Sequence, residues 1–319
     1  MATIALAAAL VVGCASGTAN TSGSPTAGSA NWSAEALGRE AQKANVTPIL
    51  VNSAPGVGVN RLSFVLLDKT GQPVSNATET RVRLFTLDGD TGSVAGGSAL
   101  RRAALNLEGV PHQHSDGANH LHEGPEIAMY TAVVELTRPD FWGAEISWSV
   151  DGKAQQQRLR FFVRPSTPEP GVGAVPPASV QKTLRDGIAL TDLDTSQVPQ
   201  EALHQQTIAE AVTSGRVSVI AFATPAFCQT RFCGPVLESV VVPVWQRYRD
   251  RINAIHVEPF DVVAARKGSL VPEAVTAEWG LQSEPWVFVI GKDGRVAAKF
   301  EGILSVDELT EAIDRALAG

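Results

Sequence analysis

The sequence predicts two folded parts in series, an all-β antiparallel sandwich and then an α/β domain, and three observations predict this. Five short runs rich in β-formers, divided by turn signals, lie between residues 62 and 163. A Pro- and Gly-rich connector follows, Arg164-Pro165-Ser166-Thr167-Pro168-Glu169-Pro170 and then Val175-Pro176-Pro177. Beyond it, helical and strand patterns alternate. A length of 319 residues suits about two domains.

The elements justify themselves in chain order. Residues Ala5 to Val12 form a short apolar stretch that ends before Gly13-Cys14 and is followed by a Ser/Thr/Gly/Asn tract, Ala15 to Ala30. The stretch is too short to cross a bilayer, which takes about 18 apolar residues or more. It has the character of a signal-peptide core, although the first cation, Arg39, comes well after it. The pattern resembles the bacterial lipobox. That resemblance implies a signal peptide over residues 1–14, lipidation at Cys14, and a chain held on the extracytoplasmic face of the cell membrane. Residues 15–47 then read as a flexible tether with one helical turn around Ala34 to Lys43.

Within residues 48–164 the strand runs are Leu62–Leu67, Val82–Leu87, Tyr130–Leu136, Gly143–Val150 and Arg158–Val163. Turns such as Asp68-Lys69-Thr70-Gly71 and Asp88-Gly89-Asp90 separate the first of them, as in an antiparallel sandwich. Residues 165–182 are the semi-rigid linker. From 183 to 319 the order is a short helix at Thr207–Val212, strand Val217–Ala223, and a long helix with apolar residues at Val236, Leu237, Val240, Val241, Val244 and Tyr248. Pro243 inside that helix predicts a kink. Strand Ile252–Val257, a helix near Glu273–Trp279, strands Trp286–Ile290 and Val296–Phe300, and a last helix complete the order. The last helix begins at Ser305 with Glu308 three residues on, a capping box.

Composition narrows the function. There are 26 Lys+Arg against 33 Asp+Glu, a net charge of −7. Phosphate neutralisation needs a basic surplus, so nucleic acid is excluded as a partner. The three cysteines split into Cys14 alone and the pair Cys228 and Cys233. That split fits neither a disulfide scaffold nor a four-cysteine zinc site. It suggests one cysteine for anchoring and two for redox work.

The pair lies in Thr224-Pro225-Ala226-Phe227-Cys228-Gln229-Thr230-Arg231-Phe232-Cys233-Gly234-Pro235, between an apolar strand and a long helix. A thiol at a helix start faces unsatisfied N–H groups, which favour the thiolate, and Arg231 would add to that. The segment resembles the thioredoxin superfamily, in particular its membrane-anchored extracytoplasmic thiol-disulfide oxidoreductases, over roughly residues 180–319. Ser283-Glu284-Pro285-Trp286 looks like the family's cis-proline strand and Gly291-Lys292-Asp293-Gly294-Arg295 like its terminal hairpin. The resemblance implies a thioredoxin-like domain, behind the sandwich expected from the strand runs, which is taken as immunoglobulin-like. It implies Cys228 as nucleophile, Cys233 as resolving thiol and Pro285 as a substrate-positioning residue, with no cofactor required and extracytoplasmic protein thiols or disulfides as partners. The chain departs from the family in its C-x4-C spacing and in Phe227, where the family has Trp. Cys233-Gly234-Pro235-Val236 also aligns with C-G-P-C, which makes Cys233 the nucleophile. Glu258 and Glu301 are the candidates for a proton-relay acid.

Four of the six histidines, His112, His114, His120 and His122, fall within eleven residues. Two H-x-H pairs can converge on one cation, Cu or Zn by ligand type, with Asp116 or Glu123 completing the sphere. His204 and His256 read as incidental, the latter as the end of a strand. Three alternative functions follow: a copper-handling lipoprotein, a peroxiredoxin-like peroxide reductase suggested by the C-x4-C spacing, and a noncatalytic adaptor.

Overall fold

The structure, a computed structural model, describes residues 31–105, 111–113, 119–121, 126–229 and 231–319. The lipidation site expected at Cys14 and the metal ligands expected at His114 and His122 lie outside the described residues.

The first half contains α1 (Ala34–Lys43), β1 (Val46–Leu50), β2 (Gly58–Asp68), β3 (Thr78–Asp88), β4 (Thr91–Ala99), β5 (Arg101–Leu105), β6 (Pro111–Gln113), β7 (Asn119–Leu121), β8 (Ile127–Leu136), β9 (Asp140–Val150) and β10 (Lys153–Val163). Two four-stranded sheets result, in the orders β1-β2-β8-β5 and β10-β9-β3-β4, with all pairings antiparallel. Period-two alternation decides their faces. Leu62, Phe64 and Leu66 of β2 and Ala128, Tyr130 and Ala132 of β8 share one core with Val82 and Leu84 of β3 and with Trp142, Ala144, Ile146 and Trp148 of β9. Each of the five runs expected as strands falls within β2, β3, β8, β9 or β10.

The tether expected over 15–47 is corrected at its C-terminal end. Ala34–Lys43 is a full ten-residue helix, capped by the Ser33 hydroxyl, which accepts the Ala36 N–H at 3.2 Å. Trp32 is fully buried against Phe85 and Leu87. β1 pairs along its whole length with β2. Burying one large indole outweighs the small polar composition around it.

The second half contains α2 (Ile208–Val212), β11 (Ser218–Phe222), α3 (Cys233–Val236), α4 (Val242–Tyr248), β12 (Asn253–Val257), α5 (Val262–Ala265), α6 (Ala274–Glu278), β13 (Trp286–Ile290), β14 (Val296–Glu301) and α7 (Val306–Ala318). Its sheet runs β12-β11-β13-β14, with β11 and β12 parallel and the other neighbours antiparallel. On one face Val219, Ala221, Val287 and Val289 pack with Val236, Val240 and Val244 and with Leu309 and Ile313 of α7. On the other, Ile220, Phe222 and Phe288 pack with Ile208 of α2 and with Val275 and Trp279 around α6. The chain is therefore mixed α/β, with three mostly antiparallel four-stranded sheets. The disruption expected at Pro243 takes the form of a π-helical turn, Leu237–Val241, joining α3 to α4.

The connector does not hang free. Gly173 N–H donates to the Val296 carbonyl at 2.8 Å and Val296 N–H to the Ala174 carbonyl at 2.9 Å. Buried Glu169 pairs with Lys299 at 2.5 Å. The halves also share a core, because the second face of the β1-β2-β8-β5 sheet carries Ala103, Leu105 and Met129 into the cluster around α7.

At that junction Arg61 of β2 grips Glu308 of α7 in a two-point bond, Nε to Oε1 at 2.8 Å and Nη2 to Oε2 at 3.0 Å. Arg61 also donates to the Ile303 carbonyl at 2.8 Å, and the Thr131 hydroxyl donates to Glu308 at 3.1 Å. Glu308 completes the expected capping box, accepting Ser305 N–H at 3.0 Å while its own N–H reaches Ser305 Oγ at 3.1 Å. Burial opposes its ionisation, but the charge and hydrogen bonds of Arg61, with Ser305 and Thr131, hold the carboxyl below its ordinary value.

Arg61→Ala leaves a buried carboxylate without its cation and should cost roughly 3–5 kcal/mol in urea unfolding, whereas Arg61→Met/Glu308→Leu together should recover most of that loss. The pair's stabilisation is present above the unfolded glutamate range and is lost as pH falls through the depressed folded value. Acid should therefore destabilise the wild type more steeply than the double variant.

Candidate active site at the two cysteines

β11 delivers the chain to Ala223 inside the core, and Thr224-Pro225-Ala226-Phe227 turns it outward to Cys228. The helix that follows opens at Cys233 with no side-chain cap from Phe232. Its first N–H groups therefore need another acceptor. Cys228 supplies one, because Cys233 N–H reaches Cys228 Sγ at 3.3 Å. A thiolate is a better acceptor there than a thiol, so the helix start favours charge on Cys228.

The two sulfurs have opposite surroundings. Both are thiols; Cys228 is half-buried and Cys233 fully buried. Burial pushes the Cys233 thiol well above its ordinary value. Its hydrogen bond to Cys228 and the negative charge on Cys228 push it further up, and Thr224 N–H pulls the other way. Cys228 is therefore the accessible sulfur of the pair and Cys233 the sheltered one. Arg231, between the two, is exposed and takes a left-handed backbone, φ 66°. A non-glycine residue in that region marks a loop held by its surroundings.

The Glu284-Pro285 peptide bond is cis, and Pro285 is buried. Gln229, next to Cys228, donates its N–H to Glu284 Oε1 at 3.1 Å, so the segment before β13 lies against the cysteine loop. Burial raises the Glu284 carboxyl above its ordinary value, opposed by that hydrogen bond.

The two proton-relay candidates separate. Glu301 is occupied at the junction of the halves, where it accepts Ser53 N–H at 3.0 Å and the Ser283 hydroxyl at 2.7 Å. Glu258 is buried beneath the cysteine loop. Its Oε1 accepts the Thr195 hydroxyl at 2.6 Å and Thr195 N–H at 2.8 Å, and the same Thr195 oxygen accepts Ala226 N–H at 3.0 Å. Burial raises its carboxyl, against the charge of His256, the hydrogen bonds from Thr195 and the neighbouring Thr224 hydroxyl. Its Oε2 and the Thr224 hydroxyl are both buried without a partner of normal geometry.

Of the four clustered histidines, His112 and His120 stand opposite each other in the antiparallel register of β6 and β7. A different group gathers in the described residues. Asp194, His204 and His256 are all buried, with ligand-capable atoms within 4.8 Å of one another, and could hold a metal ion. This corrects the reading of His204 and His256 as incidental. His204 Nε2 lies 3.2 Å and His256 Nδ1 3.7 Å from Asp194 Oδ2. Burial opposes charge throughout, yet His256, with His204 and Ser196, holds the Asp194 carboxyl far below its ordinary range. Burial lowers His204, while His256 is raised to about 8 by Asp194, Glu258 and the Ala223 carbonyl against its own burial. The signal available in the sequence is a histidine inside the apolar run Ala254-Ile255-His256-Val257.

Iodoacetamide near neutral pH should modify Cys228 and spare Cys233 in the folded protein, and should modify both in denaturant, as read by peptide mass. Modification of Cys233 first would reverse the assigned order. No protein-family model and no curated protein matches this chain.

Proposed function

We propose that this chain is a lipid-anchored, extracytoplasmic thiol-disulfide oxidoreductase. In this reading a thioredoxin-like C-terminal domain carries the chemistry and an immunoglobulin-like sandwich serves as spacer or docking module. One observation carries it: a half-buried Cys228 sulfur that accepts the first N–H of a helix, beside a fully buried Cys233 thiol. Supporting it are the strand-helix-strand order around the sheet, the cysteines directly after its first strand, and the Glu284 segment before β13 that lies against the cysteine loop.

The cycle follows from that asymmetry. The Cys228 thiolate attacks one sulfur of a partner disulfide, forming a mixed disulfide and expelling the other partner sulfur as a thiolate, which takes up a proton. Cys233 then gives up its proton and attacks Cys228 Sγ. The second partner thiolate leaves, and a Cys228–Cys233 disulfide remains. The partner has gained two electrons and the protein has lost two, to be restored by a dithiol donor. Run backwards, the same steps oxidise a partner dithiol. Glu258 is a fully buried carboxyl beside Thr224, the residue whose backbone also acts on the Cys233 thiol, and is the candidate to receive that proton. The burial of Cys233 argues against that residue as the entering nucleophile.

Cys228→Ser should abolish disulfide exchange in an insulin-reduction assay. Cys233→Ser should instead accumulate mixed disulfides on Cys228, visible as added mass that a reductant removes. Full activity in both variants would overturn the proposal.

A further inference from the structure

We propose that Asp194, His204 and His256 form a zinc site independent of the cysteines. Ala223 carbonyl oxygen lies 2.9 Å from His256 Nε2. A carbonyl only accepts, so Nε2 carries the hydrogen and the lone pair of a neutral ring sits on Nδ1. That Nδ1 is buried, has no hydrogen-bond partner, and faces Asp194 Oδ2 at 3.7 Å. With the ring neutral these are two electron-pair donors facing each other; a proton on Nδ1 satisfies them, which is how Asp194 raises His256, and a metal ion would take that proton's place. A gap of 3.7 Å is too long for a hydrogen bond. It is near the separation of two ligands around tetrahedral zinc, about 3.3–3.4 Å for bonds of about 2.0–2.1 Å. The 3.2 Å between Asp194 Oδ2 and His204 Nε2 falls on the other side of that value.

The ligands are already supported. Asp194 Oδ1 accepts Ser196 N–H at 2.9 Å and Oδ2 accepts Gln200 N–H at 3.0 Å, which fixes the carboxylate. His256 is fixed by Ala223, in the manner of the outer bonds that orient metal-bound imidazoles. Two imidazoles and one carboxylate leave a fourth position open. A cavity of about 30 Å³ lined by His204, His256 and Glu258 provides room for a water there. Glu258 Oε2, buried and unpartnered, lines the same cavity and supplies an acceptor for that water. Asp194 and His204 come from a stretch of short 3-10 turns before α2, and His256 from β12. The ion would therefore pin this irregular stretch to the sheet, directly under the cysteine loop that Thr195 supports.

The test uses the full chain carrying Cys14→Ser, Cys228→Ser and Cys233→Ser, with His112, His114, His120 and His122 each changed to Ala, so that only this site remains. Zinc titration against a chromophoric chelator should give one equivalent bound, with a thermal midpoint that rises with zinc. Adding His256→Ala should weaken binding by at least about 100-fold. Cobalt in the parent variant should show the visible bands of a four-coordinate site without thiolate charge transfer, a readout that does not depend on the His256 variant folding. A folded parent variant that binds no zinc, or zinc binding that survives His256→Ala in a folded chain, would overturn the proposal.

Discussion

The Arg61–Glu308 bond is the constraint on which the two halves depend. A carboxylate that caps its own helix is used a second time, by a guanidinium from a strand 247 residues earlier. Taking both charges out of water is costly, and it is tolerated because the Ile303 carbonyl, the Thr131 hydroxyl and the Ser305 N–H satisfy the remaining donors and acceptors. The bond fixes where α7 starts against the β1-β2-β8-β5 sheet. α7 in turn packs against the helix that opens at Cys233, and the Tyr248 hydroxyl donates to Asp314 at 2.7 Å. The first half therefore helps to set the position of the helix behind the cysteines.

Around the cysteines, position does what composition cannot. Two chemically identical thiols differ because one ends a turn at the surface and the other begins a buried helix. The turn is held from below by Thr195, which joins Ala226 to the buried Glu258. It is held from the side by Glu284, ahead of the cis proline. Thr195 belongs to the irregular stretch that also carries Asp194 and His204. That stretch carries no periodic pattern in the sequence, yet it forms the floor of the site.

What the sequence disclosed follows the range of the interactions. Strands such as Val82–Leu87 are legible because period-two burial is local, and the Ser305/Glu308 box because both bonds span three residues. Thr91–Ala99 escapes because an exposed edge strand of Gly, Ser and Ala needs no alternation. Trp32 and α1 escape because the burial of one indole depends on Phe85 and Leu87, far along the chain. The second role of Glu308 and the meeting of Asp194, His204 and His256 are products of folding alone. Density in the sequence singles out His112 to His122, whereas the histidines buried together, His204 and His256, stand alone in the sequence.

The central claim is that Cys228 and Cys233 form a reversible dithiol–disulfide couple, and its most direct test is a redox titration of the folded protein, with the pair's state read by mass after thiol trapping. The account predicts one two-electron transition, at a potential between roughly −270 and −120 mV, the span of known exchange catalysts. A pair that stays as thiols throughout that span, or a disulfide that resists reduction below about −300 mV as structural ones do, would contradict it.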